Sequence, residues 1–246
     1  MLTYIILGII QGIFEWIPIS SEGVVALASQ FLVKGVNAID LALFLHLGTL
    51  GAVLVYFRKD WRKILTFKDL KLLSFIFIAT IVSLAIGYPI YKTVKNVALG
   101  NFLLVLTGVG LLFTAYFQKK EKKFELDFDK LVVVSGLLQG MAVIPGFSRS
   151  GATIFSLSSF SKLSPAEVLK ISYMMSAPVV LASSFYLFLE NPVFVFEGLP
   201  ALISSFLFGF LSLHFLIKFA EKINFFKFAL IFSLLCFLGA ALDFLF

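Results

Sequence analysis

The chain has 246 residues, 60% of them hydrophobic and 31 of them Phe, with a formal net charge of +6. Soluble domains run near 45–50% apolar, so this composition excludes a soluble domain and describes a polytopic membrane protein, with room for roughly six to nine segments of about 20 residues. In such a chain Lys and Arg report topology. The positive charge therefore does not read as nucleic-acid binding, and the single cysteine, Cys236, excludes an intrachain disulfide.

Residues 1–33 come first. They are apolar but broken by Pro18, Ser20, Ser21, Glu22 and Gly23, and they lack the basic start of a signal peptide. Three runs then read as full spans, 38–57, 71–90 and 100–118. A second broken stretch, 131–161, carries Pro145, Gly146, Ser148, Arg149, Ser150 and Gly151. Three more spans follow, 165–189, 199–218 and 225–246, and Cys236 in the last of them reads as a core residue. Each broken stretch is an apolar half, a polar turn and a second apolar half, and neither half spans a bilayer alone. This is the pattern of a re-entrant hairpin, because irregular backbone at membrane depth needs protein or a wet cavity around it.

The two breaks match. QGIFEWIPISSEG (Gln11 to Gly23) and QGMAVIPGFSRSG (Gln139 to Gly151) are both 13 residues long and lie 128 residues apart. Without a gap, Gln11 aligns with Gln139, Gly12 with Gly140, Ser20 with Ser148, and Gly23 with Gly151. The expected fold is all-α: a single membrane domain, 1–246, built as an internal repeat of one hairpin plus three spans, with units 1–118 and 128–246. Three spans between the hairpins is an odd number, so the second unit is inverted relative to the first, with both breaks near the midplane. In that arrangement sixteen of the twenty Lys and Arg fall on one side, in 58–71, 119–130, 218–227 and at Lys162 and Lys170. The other side holds Lys34, Lys92 and Lys95. The basic side is cytoplasmic, which opens the first hairpin to the outside.

The chemistry follows from the turns. Gln11 and Glu15 are four apart and share a helix face, and an ionisable group at membrane depth is costly and functional by default. Ser20, Ser21 and Glu22 stand where a second half-helix starts, so plain capping competes with a catalytic reading for them. The second turn, PGFSRSGAT, offers a phosphate cradle. Gly146 and Gly151 allow close backbone approach, Ser148, Ser150 and Thr153 offer hydroxyls, and Arg149 supplies a charged fork at a helix start. Brought together, the turns suit phosphoryl transfer on a lipid phosphate. Ser21 would attack phosphorus, Glu15 would take its proton or help hold a divalent metal, and Arg149 would stabilise the phosphoryl oxygens. His46 reads as a packing residue or a contributor to the site, and His214 as a packing residue.

The pair QGIFEWIPISSEG and PGFSRSGAT, with HLGTLGAVLVYF and the two-hairpin layout, resembles the undecaprenyl pyrophosphate phosphatase family, the bacitracin-resistance phosphatases, across essentially the whole chain. The resemblance implies an integral membrane enzyme of the plasma membrane. It would remove one phosphate from undecaprenyl (polyprenyl) pyrophosphate on the outer face, regenerating the carrier lipid for peptidoglycan synthesis. Carried over by position, Gln11 and Glu15 match the paired acidic motif, Ser21 the proposed nucleophile, and Ser148, Arg149 and Thr153 the phosphate signature. A divalent cation, Mg²⁺ or Ca²⁺, is implied in the same way, with Glu15 and Gln11 as its ligands. The expected partners are the lipid substrate, membrane lipid and, for assembly, a second copy in a homodimer.

Two positions depart from the family pattern. Gln11 stands where many members have Glu, which weakens a two-carboxylate metal site. Val24 stands where many have a histidine proposed to act in the chemistry, so that role falls to Glu15, to Glu22, to His46 from another helix, or to nothing. The alternative function is a carrier-lipid flippase or transporter, because inverted repeats with broken helices and an anion site are also a transporter architecture.

Overall fold

The computed structural model describes residues 2–17, 20–33, 38–97, 101–119, 125–144, 146–190, 198–219 and 225–245. The turn prolines Pro18 and Pro145 and the loop residues Lys34, Lys120, Lys122, Lys123 and Lys222 lie outside them.

All regular structure among the described residues is helical. The first broken stretch forms α1 (Leu2–Phe14) and α2 (Ser21–Leu32), which pack on one another. Next come α3 (Ala38–Tyr56), α4 (Arg58–Leu65), α5 (Leu70–Val97) and α6 (Asn101–Lys119). The second broken stretch forms α7 (Phe128–Met141) and α8 (Arg149–Phe160), again packed together. The chain continues through α9 (Pro165–Glu190), α10 (Leu199–Phe219) and α11 (Phe225–Leu245). By length and composition, Leu70–Val94, Pro165–Leu189 and Leu199–Lys218 can each cross a membrane among the described residues. A fourth candidate joins α3 to α4, with a bend of 81° between them.

That bend corrects the sequence reading, which leaves 58–71 as loop. RKDWRKIL is an amphipathic helix of about two turns: Ile64 is buried and Trp61 packs on the core, while Arg58, Lys59 and Arg62 are exposed. A short helix of this kind folds across the end of α3 because its charged face cannot follow α3 into an apolar layer. The predicted 71–90 span is also longer than expected, since Pro89 sits inside α5 without ending it.

The helices interlock crosswise. Gly8 and Gly12 of α1 face α10, where an added Cβ would stand 2.2 Å from the Ala201 carbonyl and 2.6 Å from Gly209 N. Gly136 and Gly140 of α7 face α5 in the same way, at 2.8 Å from Ala79 O and 2.7 Å from Ser83 O. Small residues that let backbones touch are what holds helices together in lipid, where burial of apolar area gives little net attraction. Meanwhile α3 packs on α9, and α6 on α11. Cys236 is buried there beside Leu111 and Ala115, and His214 packs its ring against Tyr56 and Phe215. The largest core cluster joins Trp16 after α1 to Leu157 of α8 and Tyr173, Met174 and Met175 of α9. It lies directly beneath the turns that carry the polar residues.

Candidate active site

Glu15 follows the last residue of α1, and its backbone N–H still donates to Gln11 O at 3.0 Å. The next residue fixes where it points. Trp16 is fully buried, donates Nε1–H to Gly209 O at 2.7 Å, and meets Tyr173 edge-on with ring centroids 5.1 Å apart. Tyr173 Oη in turn donates to Trp16 O at 2.8 Å. Tyr173→Phe strands that buried carbonyl, and an unmade buried hydrogen bond costs about 1–3 kcal/mol. A melting point of the purified protein lowered by a few degrees is the expected result, because the turn loses an anchor while the ring contact stays.

The two broken stretches cap their second helices alike. Ser20 Oγ accepts from Gly23 N at 3.2 Å, and Ser148 Oγ accepts from Gly151 N at 3.0 Å. These are the serines and glycines that the alignment at an offset of 128 pairs. Ser20 holds a left-handed backbone, φ 63°, which costs a non-glycine residue about 1–3 kcal/mol and persists only where surroundings impose it. Gly146, at φ 87°, makes the matching turn before α8, where a Cβ would collide with the Thr107 carbonyl. Ser21 and Arg149 are thus the first residues of two helices whose N-termini face one chamber, and that end of a helix favours anions.

Glu15 gathers the site. Its Oε2 accepts from Gln11 Nε2 at 2.7 Å and from Ser21 Oγ at 2.7 Å, and stands 3.0 Å from His46 Nε2. Arg149 Nη2 donates to Oε1 across 134 residues of sequence. The Glu15 side chain is buried, at 5% exposed, and that of Arg149 is partly buried, at 13%. Ser150 Oγ closes the arrangement on Glu15 O at 3.4 Å. Glu15, Ser20, Ser21, Glu22, His46, Phe147, Ser148, Arg149 and Ser150 enclose a chamber of about 10 Å³, roughly the room one water needs.

His46 comes from α3. Its Nδ1 lies 2.6 Å from Ala42 O, which assigns the Nδ1 proton to that carbonyl and turns Nε2 to the carboxylates. Glu22 Oε1 is 3.8 Å from the same Nε2. Val24 is buried in α2, so the imidazole at the site arrives from a neighbouring helix. No spacing in the sequence signals this, because His46 and Glu15 meet only through the packing of α1 on α3.

Not every candidate reaches the chamber. Thr153 is fully buried, and its Oγ1 is engaged by Arg149 O at 3.0 Å, Ser150 O at 3.2 Å and Ser172 Oγ at 2.5 Å. It fastens α8 to α9. Gly151 shapes the first turn of α8 through its bond to Ser148, as Gly146 shapes the turn before it. Phe147, which the sequence reading does not single out, supplies an apolar wall.

The donors available to a cation are oxygens, the type that Mg²⁺ and Ca²⁺ take. Gln11 Oε1 is buried and has no hydrogen-bond partner, while Glu15 and Glu22 bring carboxylates. They do not close a shell. Among the described residues no group of three or more His, Cys, Asp or Glu side chains is placed to hold a metal. The set fits an ion completed by substrate phosphate oxygens and water, and does not fit a self-contained protein cage.

The family model for bacitracin resistance protein BacA matches residues 4–238. An undecaprenyl-diphosphatase of Haloarcula marismortui is 35% identical over 98% of both chains. Those of Sulfurisphaera tokodaii and Methanococcoides burtonii are 31% and 33% identical, over about nine-tenths of each chain. With its length matched nearly end to end and its two turns joined at Glu15 and Arg149, the chain belongs to the bacitracin resistance protein BacA family.

Proposed function

We propose that this integral membrane protein is an undecaprenyl-diphosphatase, hydrolysing a polyprenyl diphosphate to its monophosphate and inorganic phosphate through Ser21. The family supports pyrophosphate hydrolysis as the reaction. The observation that carries the mechanism is one carboxylate, Glu15, holding the Ser21 hydroxyl on one oxygen and the Arg149 guanidinium on the other.

The diphosphate is too large for a 10 Å³ chamber, so its entry draws Arg149 from Glu15 onto the phosphoryl oxygens. Ser21 Oγ then attacks the terminal phosphorus while its proton passes to Glu15 Oε2, already within hydrogen-bond reach. The bond from that phosphorus to the bridging oxygen breaks, and polyprenyl monophosphate leaves. Glu15 passes that proton through His46 to the departing monophosphate; water then attacks the phosphoserine as its proton goes to the freed carboxylate, the phosphorus–Oγ bond breaks, Ser21 Oγ takes the proton back, and phosphate departs. His46, between Glu15 and Glu22, carries protons to and from the carboxylate. A divalent cation, when bound, neutralises diphosphate charge, and Gln11 Oε1, Glu15 and Glu22 are the oxygens this chain offers it. Ser20 and Ser148 hold the helix starts that face the anion, and Ser150 lies alongside them.

The same reading places the site near the midplane of an inverted repeat, with units 1–118 and 128–246, six spans and two re-entrant hairpins. The reciprocal packing of Gly8 and Gly12 on α10 and of Gly136 and Gly140 on α5 supports it. The basic loops then face the cytoplasm of the plasma membrane and the site opens outward, where carrier lipid is recycled. Assembly as a homodimer belongs to the same proposal.

Phosphate release from a polyprenyl diphosphate by the purified protein tests the reaction, since a flippase would bind the lipid and release none. His46→Ala is expected to lower the rate by about 10²-fold, the scale of a lost acid–base partner, and Glu22→Gln by less. Full activity in both variants would remove these two residues from the mechanism.

A further inference from the structure

Residues 58–70 carry a surface that the reaction chamber does not use. Their two acidic side chains are turned to partners: Asp60 Oδ1 accepts from Lys170 Nζ of α9 at 3.2 Å, and Asp69 Oδ1 accepts from Leu72 N at 3.0 Å. Arg58, Lys59, Arg62, Lys63 and Lys68 are all exposed, and among the described residues none of them has an acidic partner. Every charge that this segment leaves open is therefore positive. Three large apolar side chains stand among these cations: Leu65 is 74% exposed, Phe67 70% and Leu70 62%. Apolar exposure along a span is ordinary, since lipid covers it. Here the chain has left the span, because α4 turns away from α3 by 81°. Leu70 is the first residue of α5, whose stretch Leu70–Val94 can cross a membrane by length and composition. The segment thus lies at the level where that span begins.

Phe67 is the least expected of the three. The end of α4 is a Schellman turn, in which Phe67 N donates to Ile64 O at 3.0 Å and Lys68 N to Lys63 O at 2.8 Å. Phe67 holds the left-handed position of that turn, at φ 56°. Glycine is usual there, because a Cβ is strained in that conformation. The phenylalanine neither suits its backbone nor buries its ring, so the fold gains nothing from it on either count. Its use lies outside the chain.

We infer that α4 and the turn after it anchor the protein to anionic phospholipid in the adjacent leaflet. Leu65, Phe67 and Leu70 enter the acyl boundary, and the five cations meet lipid phosphates. The pattern selects this occupant. Helices that lie in a membrane interface pair apolar insertion with Lys and Arg at the level of the headgroups, and basic residues near an anionic surface add to the attraction. A soluble acidic partner would satisfy the cations but give the strained ring and the two leucines no apolar surroundings. The anchor also acts inward. The opposite face of α4 sends Trp61 and Ile64 into the core cluster that contains Trp16 and Tyr173, so lipid held outside steadies the core beneath the chamber. None of this depends on the hydrolase reading.

The test uses the full-length purified protein in vesicles of phosphatidylcholine, with and without phosphatidylglycerol. Phosphatidylglycerol is expected to raise the melting point by a few degrees. A variant combining Arg58→Gln, Lys59→Gln, Arg62→Gln and Lys63→Gln changes only exposed side chains. It should lose most of that rise and keep its phosphate release. Phe67→Trp reports the insertion directly. Lipids brominated on their acyl chains should quench its added emission, because the two native tryptophans, Trp16 and Trp61, pack in the core. No rise with phosphatidylglycerol, or a rise that survives in the fourfold variant, overturns the anchor and leaves the patch to a soluble acidic partner. An unquenched Phe67→Trp overturns it as well. Should the fourfold variant fail to fold, the wild-type response and the quenching decide between them.

Discussion

Ser21→Ala is expected to lower phosphate release by about 10³-fold or more, the scale at which removal of a nucleophile acts, with substrate binding and the fold nearly unchanged. The fold survives for a local reason. Ser21 is the first residue of α2, alanine is a good helix former, and the cap is supplied by Ser20, whose Oγ accepts from Gly23 N. Ser20→Ala therefore makes the informative contrast. It removes the cap, at about 1 kcal/mol, and lowers the melting point while leaving most of the turnover. The opposite pattern, turnover lost in Ser20→Ala and kept in Ser21→Ala, would overturn the assignment of the nucleophile. A direct readout exists as well. With substrate labelled in its terminal phosphate, acid quench during turnover should leave label on the wild-type protein and none on Ser21→Ala.

The two serines show how far sequence reasoning reaches. ISSEG presents two hydroxyls in a row, and residue type alone cannot divide capping from chemistry between them. The division is made by backbone geometry: Ser20 turns left-handed at φ 63° and folds its side chain over the helix start, which leaves Ser21 facing Glu15. The alignment of Gln11–Gly23 with Gln139–Gly151 does foresee the equivalence of Ser20 with Ser148, and both are caps. The positions of the two breaks are legible too, because apolar runs interrupted by Pro, Gly and Ser at membrane depth have few structural solutions. Thr153 is the counter-example. It stands in the PGFSRSGAT signature beside Arg149, yet one turn of helix carries its hydroxyl round to Ser172 of α9.

What stayed illegible depends on contacts between distant helices. For His46 the sequence leaves packing and a role at the site both open, and the choice is made only when α1 packs on α3 and brings Glu15 within 3.0 Å of Nε2. The position of Val24 says that a histidine is missing from α2 and leaves Glu15, Glu22 and His46 as stand-ins, without choosing among them. The bend after Tyr56 escaped for a different reason: eight residues with five charges read as a loop by composition, whereas the burial of Ile64 makes them a helix across the end of α3.

Arg149→Ala is expected to lower turnover by about 10³-fold or more, the scale of a lost arginine at a phosphoryl transition state, and to destabilise the resting protein at the same time. The second effect arises because Glu15 is buried and would lose the guanidinium on its Oε1. Breaking a buried pair from one side costs about 3–5 kcal/mol, most of it the uncompensated charge left behind. The two effects separate in a double-mutant cycle. Glu15→Gln removes the charge that Arg149 neutralises, so Glu15→Gln with Arg149→Ala should recover much of the melting point and none of the turnover. Arg149→Lys sharpens the point. It keeps a positive charge beside Glu15 but lacks the planar fork that meets phosphoryl oxygens, so it should hold stability close to wild type and fall well below it in turnover. If Arg149→Lys retained full turnover, the guanidinium would serve only as a counter-charge to Glu15, and the transfer of Arg149 from carboxylate to diphosphate would have to be abandoned.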